Sequence, residues 1–354
     1  MSKNQTEQKQ HKRRVRYKGT HPRSYQEKYK ELQPEKYPET IEKVIQKGGT
    51  PVGMHISICV KEILDFLQIQ PGQKGLDATL GYGGHTKEML KCLQGQGHLY
   101  ALDVDPIESV KTKERLEKAG YGEEILTIRQ MNFADIDQIA REAGPFDFVL
   151  ADLGVSSMQI DNPERGFTYK KEGPLDLRLN PQKGVSAAER LKEVTEEELA
   201  GMLWENSDEP YAEEIAATVM EKLRKGEPVE TTIQLQKAIE EALSFLPERE
   251  QKEAVKKSCQ RTFQALRIDV NSEFEVLYAF MEKLPAALAP GGRVAILTFH
   301  SGEDRIVKKA FKELKRAGIY SEIAQDVIRP SAEECTRNSR ARSTKMRWAV
   351  RAKE

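Results

Sequence analysis

The sequence predicts an α/β fold in which a Rossmann-like, mainly parallel sheet carries an inserted all-helical domain. Strand-like and helix-like segments alternate from Gly75 to Leu150, which is typical of a parallel sheet covered by helices on both faces. From Ser186 to about Glu250 the pattern is purely helical. Strands and helices alternate again from about Asn271, so the helical stretch is predicted to interrupt a single α/β domain.

The first half of the predicted sheet consists of short strands separated by helices. One helix face is indicated by apolar residues at helical spacing: Val60, Ile63, Leu64 and Leu67. Strands are predicted over residues 75–79, 97–102 and 125–130. The run Phe146–Leu150 is almost continuously apolar, which is typical of a strand that is buried on both faces.

Capping signals mark the helices of the predicted insertion. Ser186 with Glu189 and Thr195 with Glu198 both fit the capping box. A strand over residues 293–299 resumes the α/β pattern, and residues 345–350 are predicted to form a closing edge strand. We therefore predict a basic N-terminal extension over 1–50, a Rossmann-like domain over 51–167 and 256–354, and a helical insertion over 168–255.

Composition favours a protein of the cytoplasm without a membrane anchor. No apolar run approaches the ~20 residues needed to cross a bilayer, and the N-terminus MSKNQTEQKQHKRR lacks the apolar segment of a secretion signal. No metal site or disulfide framework is predicted, because the cysteines are widely spaced and have no histidine at zinc-binding spacing. These cysteines are Cys59, Cys92, Cys259 and Cys335.

The net charge of zero conceals a basic N-terminal segment. Residues 1–48 hold thirteen Lys or Arg against six Glu and no Asp. Such a segment would add salt-dependent affinity for phosphates, and its tyrosines would stack on bases if it contacts RNA. A solvated leader without a partner explains the same charges, so both interpretations stay open.

A glycine-rich turn after the first predicted strand indicates a nucleoside-binding site. The run Asp77–Thr86 reads DATLGYGGHT, and glycine there lets the backbone turn sharply and approach a ligand closely. Asp103 ends the next strand, where a carboxylate can accept hydrogen bonds from both hydroxyls of a ribose. NAD is the rival ligand, but the glycines do not follow G-x-G-x-x-G. A glycine turn that begins with a strand acid, here Asp77, suits a cationic sulfonium cofactor better than a pyrophosphate.

Polar residues follow two other predicted strands at the same edge of the sheet. Asp152, Ser156 and Ser157 come after the apolar strand, and His300 follows strand 293–299. Ligands of open α/β sheets bind at this edge, so Asp152 and His300 are candidate catalytic residues, while Ser156 and Ser157 are candidate substrate contacts. A histidine at a strand end is also commonly a structural, hydrogen-bonded residue.

Three arginines near apolar residues, predicted to lie outside regular helices, form a second group of candidate substrate contacts: Arg165, Arg178 and Arg267. With their apolar neighbours they would suit a flat base next to phosphates. In the alternative interpretation each arginine pairs with a nearby acidic residue. The sequence leaves both interpretations open.

Eight motifs in a fixed order give the chain a specific resemblance to a known family. They are D-x-T-x-G-x-G-G-H, D-V-D-P, A-D-L-G-V-S-S-M-Q, E-R-G-F, G-P-L-D-L-R, R-T-F-Q-A-L-R-I-x-V-N, F-H-S-x-E-D-R-I-V-K and R-A-R-S. From about Gly53 to Arg351 the sequence resembles the ribosomal RNA small-subunit methyltransferase H family. The resemblance implies S-adenosylmethionine-dependent methylation of the N4 atom of a cytidine in the decoding region of 16S rRNA, with the small ribosomal subunit as partner.

The resemblance also implies a set of cofactor contacts. They are Gly83, Gly84 and His85 in the glycine turn, Asp103 at the ribose, Phe133 beside the adenine, and Asp152 and Gln159. Departures from the family pattern are expected near the RNA-facing parts: Ser57, Asn180, segments 206–211 and 258–260, and Gly302. Three alternatives therefore stay open: a divergent second copy with another RNA preference, methylation of another amino group in DNA or in a different rRNA cytidine, and an RNA-binding assembly factor with a vestigial cofactor pocket.

Overall fold

The computed structural model of the protein describes residues 57–354, so the predicted basic extension lies outside the described residues. Its strands are β1 Lys74–Asp77, β2 His98–Asp103, β3 Leu126–Gln130, β4 Phe146–Asp152, β5 Leu288–Thr298, β6 Tyr320–Ile323 and β7 Lys345–Arg351. They form one sheet in the order β3-β2-β1-β4-β5-β7-β6. β1 to β5 are parallel, and β7 is antiparallel to both of its neighbours. The strand order reverses between β1 and β4, where open α/β sheets bind their ligands.

Helices connect these strands and build the insertion. In chain order they are α1 Val60–Leu67, α2 Gly84–Leu93, α3 Pro106–Lys118, α4 Ile136–Ala143, α5 Ser157–Asp161, α6 Ala187–Glu193, α7 Glu196–Ser207, α8 Ala212–Arg224, α9 Thr232–Ala242, α10 Glu248–Val270, α11 Glu273–Ala287, α12 Ser301–Arg316 and α13 Ala332–Arg337. Short 3-10 turns lie at Phe133–Asp135, Pro163–Arg165 and Ser339–Ser343. Among residues 57–354, no helix has the length and apolar character that a bilayer span requires.

Alternating side chains of the central strands fill a separate core on each face of the sheet. Val149 and Ile296 point to the face that α4, α11 and α12 cover. Their neighbours Leu150 and Leu297 point to the opposite face, which α1, α2 and α3 cover. This period of two is the geometry of a pleated strand buried on both sides. The prediction of an α/β sheet with helices on both faces is confirmed.

The helical insertion has a third core of its own, formed by α6 to α10. Its buried residues include Leu191, Leu203, Ile215, Ile239 and Leu266. Both predicted capping boxes are formed, one at the start of α6 and one at the start of α7. α10 passes through residues 255 and 256 without a break, so the predicted domain boundary falls inside one helix. The division at residues 168 and 255 stays a prediction.

Two sequence-based predictions of local structure are wrong. Residues 345–350 do form a strand, but β7 lies inside the sheet and the short β6 is the edge. The four residues of β6 alternate too briefly to be distinguished from a loop. Residues 261–267, predicted to lie outside regular helices, are part of α10 because their apolar members follow helical spacing and pack into the insertion core.

Two segments that depart from the family pattern meet inside the insertion. The Ser258 hydroxyl donates a hydrogen bond of 2.8 Å to Glu209 Oε1, and both side chains are buried. Cys259 beside them is fully buried in the same core. The expectation that segments 206–211 and 258–260 lie near the RNA-facing parts stays a prediction, and the side chains of these three residues are buried in the insertion core.

Candidate active site

A cleft of about 890 Å³ opens at the carboxyl ends of the parallel strands. All seven predicted cofactor contacts line it: Gly83, Gly84, His85, Asp103, Phe133, Asp152 and Gln159. Ser156, Arg267 and His300 line it too, whereas Arg165 and Arg178 do not. Ser157 begins α5, and its side chain lies outside the described part of the structure.

The glycine turn is held from two sides. The buried Asp77 carboxylate accepts a hydrogen bond of 2.6 Å from the Thr86 hydroxyl, so this acid shapes the turn and does not line the cleft. From α3, the Thr112 hydroxyl donates to the Gly81 carbonyl at 2.6 Å. Gly83 has a φ of +80°, and a Cβ there would lie 2.7 Å from Thr112 Cγ2. Only glycine fits at that position without moving α3.

Asp103 and Phe133 form the part of the lining assigned to ribose and adenine. Asp103 Oδ2 accepts from the Gly81 backbone N–H, and Oδ1 accepts from that of Asp105, both at 2.8 Å. Burial nevertheless raises the pKa of Asp103 to about 7. Further donors, such as two ribose hydroxyls, would stabilise its charged form. Phe133 is held edge-on against Phe280, with ring centroids 5.1 Å apart.

Asp152 and His85 meet at the centre of the cleft. His85 Nδ1 lies 3.4 Å from Asp152 Oδ2, and its Nε2 lies 2.9 Å from the Ile58 carbonyl. Because a carbonyl only accepts, Nε2 carries a hydrogen, and the contact with Asp152 is favourable when one further proton sits on either group. Burial raises the pKa of Asp152 to about 6, with Asp77 and Glu303 adding to the effect and His85 opposing it. Asp152 Oδ1 is buried and has no hydrogen-bond partner among residues 57–354.

A buried cluster built on Asp105 connects this cleft to the loop that leads into the insertion. Asp105 caps α3 through Oδ1, while its Oδ2 accepts from Gln159 Nε2 and Arg165 Nη1, both at 2.8 Å. Arg165 Nη2 then donates to the carbonyls of Arg178 and Leu179. Leu179 lines the cleft, so this Asp105 cluster fixes part of the cleft wall.

All three arginines predicted as substrate contacts have acidic partners. Arg165 pairs with Asp105 in the cluster just described, and both side chains are buried. Arg178 makes two parallel hydrogen bonds to Asp176, at 2.8 and 2.7 Å. Arg267 does the same with Glu273, at 2.8 and 2.9 Å. This geometry agrees with the pairing alternative, and a direct RNA contact by any of the three stays a prediction.

His300, the residue just before α12, lies beside a glutamate in the first turn of that helix. Its Nε2 lies 3.2 Å from Glu303 Oε1, and Glu303 Oε2 accepts from the Phe299 backbone N–H at 2.8 Å. Burial favours the neutral form of Glu303, but His300, the Phe299 N–H and Arg267 outweigh it and hold its pKa below the usual value. Both ring nitrogens of His300 are buried without a hydrogen-bond partner among the described residues, so the contact between Nε2 and Glu303 is an approach of charges and not a formed hydrogen bond.

The cleft lining also contains aromatic and basic residues to which the sequence analysis assigned no role. Tyr169 and Phe263 stand edge to face with centroids 5.8 Å apart, and both line the cleft together with Lys171 and Lys183. Asn180, a departure from the family pattern, lines it as well. Aromatic rings beside lysines are suited to an unstacked base and its phosphates.

Sequence reasoning also missed Asp105 and Glu303. Asp105 stands directly before Pro106, and an Asp followed by Pro at a helix start is a capping signal that could have indicated its role. Glu303 follows His300, the N-cap residue of α12, by three residues, and this spacing brings an N-cap residue close to a first-turn glutamate.

Comparison with known proteins agrees with this geometry. Residues 53–352 match the MraW methylase family. The chain is 71% identical to "Ribosomal RNA small subunit methyltransferase H 1" of Lachnoclostridium phytofermentans over 97% of this chain and 93% of the relative. It is 68% identical to the protein of that name in Agathobacter rectalis, over 98% and 99% of the two chains.

A copy numbered 2 is also similar. "Ribosomal RNA small subunit methyltransferase H 2" of Alkaliphilus metalliredigens is 66% identical, over 96% of this chain and 97% of that relative. The family match covers the Rossmann-like sheet, the insertion and the whole cleft in one span. The chain belongs to the MraW methylase family and is a methyltransferase.

Proposed function

We propose that this methyltransferase transfers a methyl group from S-adenosylmethionine to the N4 atom of a cytidine in the decoding region of 16S rRNA, within the small ribosomal subunit. One observation carries the proposal: two carboxylates line the same cleft. Asp103 can accept hydrogen bonds from ribose hydroxyls, and Asp152 Oδ1 has no hydrogen-bond partner among residues 57–354. The names of the relatives, small-subunit rRNA methyltransferases, support the substrate.

The cleft residues fit S-adenosylmethionine. The raised pKa of Asp103 reflects a buried carboxylate with few donors, and the two ribose hydroxyls would supply them. Phe133 offers an apolar wall for adenine, and the glycine turn leaves space for a ligand close to its backbone. Asp103 and Asp152 give this part of the cleft a negative character that suits a sulfonium cation.

We assign Asp152 as the residue that accepts a hydrogen bond from the N4 amine of the substrate. When bound, S-adenosylmethionine supplies an electrophilic methyl group on a positively charged sulfur. The N4 lone pair of cytosine is delocalised into the ring, so the amine is a weak nucleophile. A carboxylate that accepts an N4 hydrogen helps to localise that lone pair and later takes up the surplus proton. A pKa of about 6 places Asp152 close to the range in which a proton acceptor works best.

The aromatic side of the cleft is assigned to the substrate base. A cytosine within folded RNA must leave its stack before its amine reaches a buried carboxylate. Tyr169 and Phe263 supply rings against which a flipped base packs, while Lys171 and Lys183 offer charge for adjacent phosphates. Ser156 has a different part, since its hydroxyl caps α5 and thereby orients Gln159.

His300 is the second candidate proton acceptor. A hydrogen bond from Nε2 to Glu303, which lies 3.2 Å away, would leave Nδ1 as an acceptor. In that arrangement Glu303 orients the ring and stabilises it after protonation, as a carboxylate does for histidine bases elsewhere. His300 would then relay the proton that Asp152 receives or hold the base by a hydrogen bond.

The test is a transfer reaction with purified components. The protein is incubated with methyl-labelled S-adenosylmethionine and small ribosomal subunits from cells that lack this gene, and the digested rRNA is separated by mass spectrometry. We expect N4-methylcytidine in the decoding-region fragment. Label in another nucleoside would overturn the assigned substrate, and failure to bind S-adenosylmethionine would support the assembly-factor alternative.

A further inference from the structure

The helix that follows His300 has a strongly divided surface. On one side of α12, Ile306, Val307, Ala310, Phe311 and Leu314 pack toward the sheet. The opposite side is exposed and carries six cations, which we call the basic face: Arg305, Lys308, Lys309, Lys312, Lys315 and Arg316. Glu313 is the one acidic residue exposed on that side of the helix. Residues 305, 308, 312 and 316 follow helical spacing, so they form a continuous stripe.

Most of the basic face lacks acidic partners. Lys309 lies 4.0 Å from Glu313, and Lys315 donates to the Ser321 carbonyl. Within residues 57–354, no carboxylate forms an ion pair with Arg305, Lys308, Lys312 or Arg316.

Lys256 and Lys257 on helix α10 differ from the basic face in having an acidic partner. There the exposed Lys256 and Lys257 both lie within ion-pair distance of Glu253. The chain as a whole is neutral, so an unneutralised row of cations on one helix is a local feature and does not reflect an overall basic composition.

Helix stability explains only part of the row. Cations in the last turn interact favourably with the helix dipole, which accounts for Lys315 and Arg316. Arg305 and Lys308 lie in the first half of the helix, where the dipole gives them no such benefit. Like charges three or four residues apart also repel each other. The helix dipole therefore does not account for the cations nearer the cleft, which remain available to an external anion.

The position of the basic face links it to the cleft. α12 begins at Ser301, directly after His300 on the cleft lining. From Arg305 to Arg316 the stripe extends about 16 Å along the helix, at 1.5 Å per residue. Arg305 therefore lies about one helical turn from the cleft lining, and an RNA whose base occupied the cleft would have to extend along α12 for its phosphates to contact the rest of the stripe.

We infer that the basic face of α12 docks the phosphate backbone of the RNA whose base enters the cleft. The inference rests on the proposed function, because it takes the same RNA as substrate. Lysines and arginines that contact phosphates add affinity without reading sequence, and each contact releases counterions. The basic face thus positions the RNA, while the cleft selects the base.

The test compares two pairs of exposed lysines. The variant Lys308→Gln/Lys312→Gln removes two charges from the basic face. The control Lys91→Gln/Lys118→Gln removes two exposed charges from α2 and α3, which cover the face of the sheet opposite to α12. We measure the Kd for an in vitro transcript of the 16S decoding region over a range of salt concentrations. The affinity for S-adenosylmethionine and the melting temperature report on folding.

We expect the Lys308/Lys312 variant to bind the transcript about tenfold more weakly at low salt, with the slope of log Kd against log salt reduced by about 1.5. The control should keep the wild-type Kd and slope. If the two double variants have the same Kd and the same salt slope, the inference is overturned. Binding to phosphatidylserine vesicles is measured for the same proteins. If the Lys308/Lys312 variant loses vesicle binding while its Kd for the transcript is unchanged, the inference is overturned in favour of a membrane surface.

The Kd assay separates this inference from the proposed function. A wild-type protein that binds the transcript but methylates no cytidine would contradict the proposed function alone. A wild-type protein that methylates the cytidine, with the same Kd in both lysine variants, would contradict the docking role alone.

Discussion

At the residue scale, the cleft places two carboxylates in different electrostatic situations. Asp103 accepts two backbone hydrogen bonds, whereas Asp152 Oδ1 has none from the described residues. Burial raises the pKa of both side chains. This difference in partners agrees with the proposed roles, in which Asp103 binds the cofactor and Asp152 contacts the amine of the substrate.

Replacement of Asp152 tests its assignment as proton acceptor. Asp152→Asn keeps the shape of the side chain but cannot take up a proton, so we expect kcat to fall by about 10²- to 10⁴-fold. Methyl transfer is measured with saturating S-adenosylmethionine and small ribosomal subunits. Calorimetric binding of the cofactor and the melting temperature serve as controls. Turnover at the wild-type rate would remove Asp152 from the mechanism.

The pH dependence of turnover follows from the same carboxylate. A proton acceptor must be ionised, so activity that depends on Asp152 is low below its pKa and rises as the pH passes through it. The groups that face Asp152 are His85, Asp77 and Glu303, and they and burial together set its pKa at about 6. We expect kcat/KM for RNA to rise between about pH 5 and pH 7. A flat profile across this range would contradict the assignment.

Asp103 is tested by cofactor affinity in the absence of RNA. Asp103→Ala removes the acceptor for the ribose hydroxyls, and hydrogen bonds to a charged group contribute about 1.5–3 kcal/mol, so the Kd should rise by about 10- to 150-fold. Isothermal calorimetry with S-adenosylmethionine measures this directly. An unchanged Kd would mean that the ribose lies elsewhere.

At the scale of the elements, α3 and its N-cap residue make hydrogen bonds to several parts of the site. Its N-cap Asp105 holds Gln159 and Arg165, and its Thr112 holds the glycine turn. Arg165 in turn fixes the backbone of Arg178 and Leu179. Through these contacts, α3 fixes the glycine turn relative to the part of the cleft wall that contains Leu179.

The stability of the Asp105 cluster distinguishes a structural arginine from an RNA contact. Arg165→Met leaves Asp105 buried without its cation, so we expect a loss of roughly 3–5 kcal/mol in the free energy of unfolding. Arg178→Met is the matched control, because the partly exposed pair with Asp176 should contribute only about 1 kcal/mol. Urea denaturation measures both values. Wild-type stability in Arg165→Met, together with weaker RNA binding, would make Arg165 a substrate contact.

The elements show where sequence reasoning succeeds and where it stops. The apolar runs of β4 and β5 and the capping boxes of α6 and α7 are local signals, so their elements were predictable. The place of β7 between β5 and β6 depends on pairing between distant strands, which no local pattern encodes. The same holds for Arg165, because its partner Asp105 is sixty residues away in the chain.

At the scale of the whole molecule, the sheet and the insertion have separate cores, and residues from both line the same cleft. The sheet contributes the glycine turn, Asp103 and Asp152, while α10 contributes Phe263 and Arg267. The seven cofactor positions implied by the family resemblance all lie in this cleft. The aromatic side, by contrast, was not predictable, because Tyr169 and Phe263 are ordinary apolar residues until the fold brings their rings together.

The measurement that tests the central claim most directly is mass spectrometry of rRNA nucleosides, mapped by fragment, from cells with and without this gene. We predict that N4-methylcytidine disappears from the decoding region of 16S rRNA when the gene is removed, and that a gene copy encoding Asp152→Asn does not restore it. Persistence of that mark in the absence of the gene, with loss of a different methylated nucleoside, would contradict the proposed substrate.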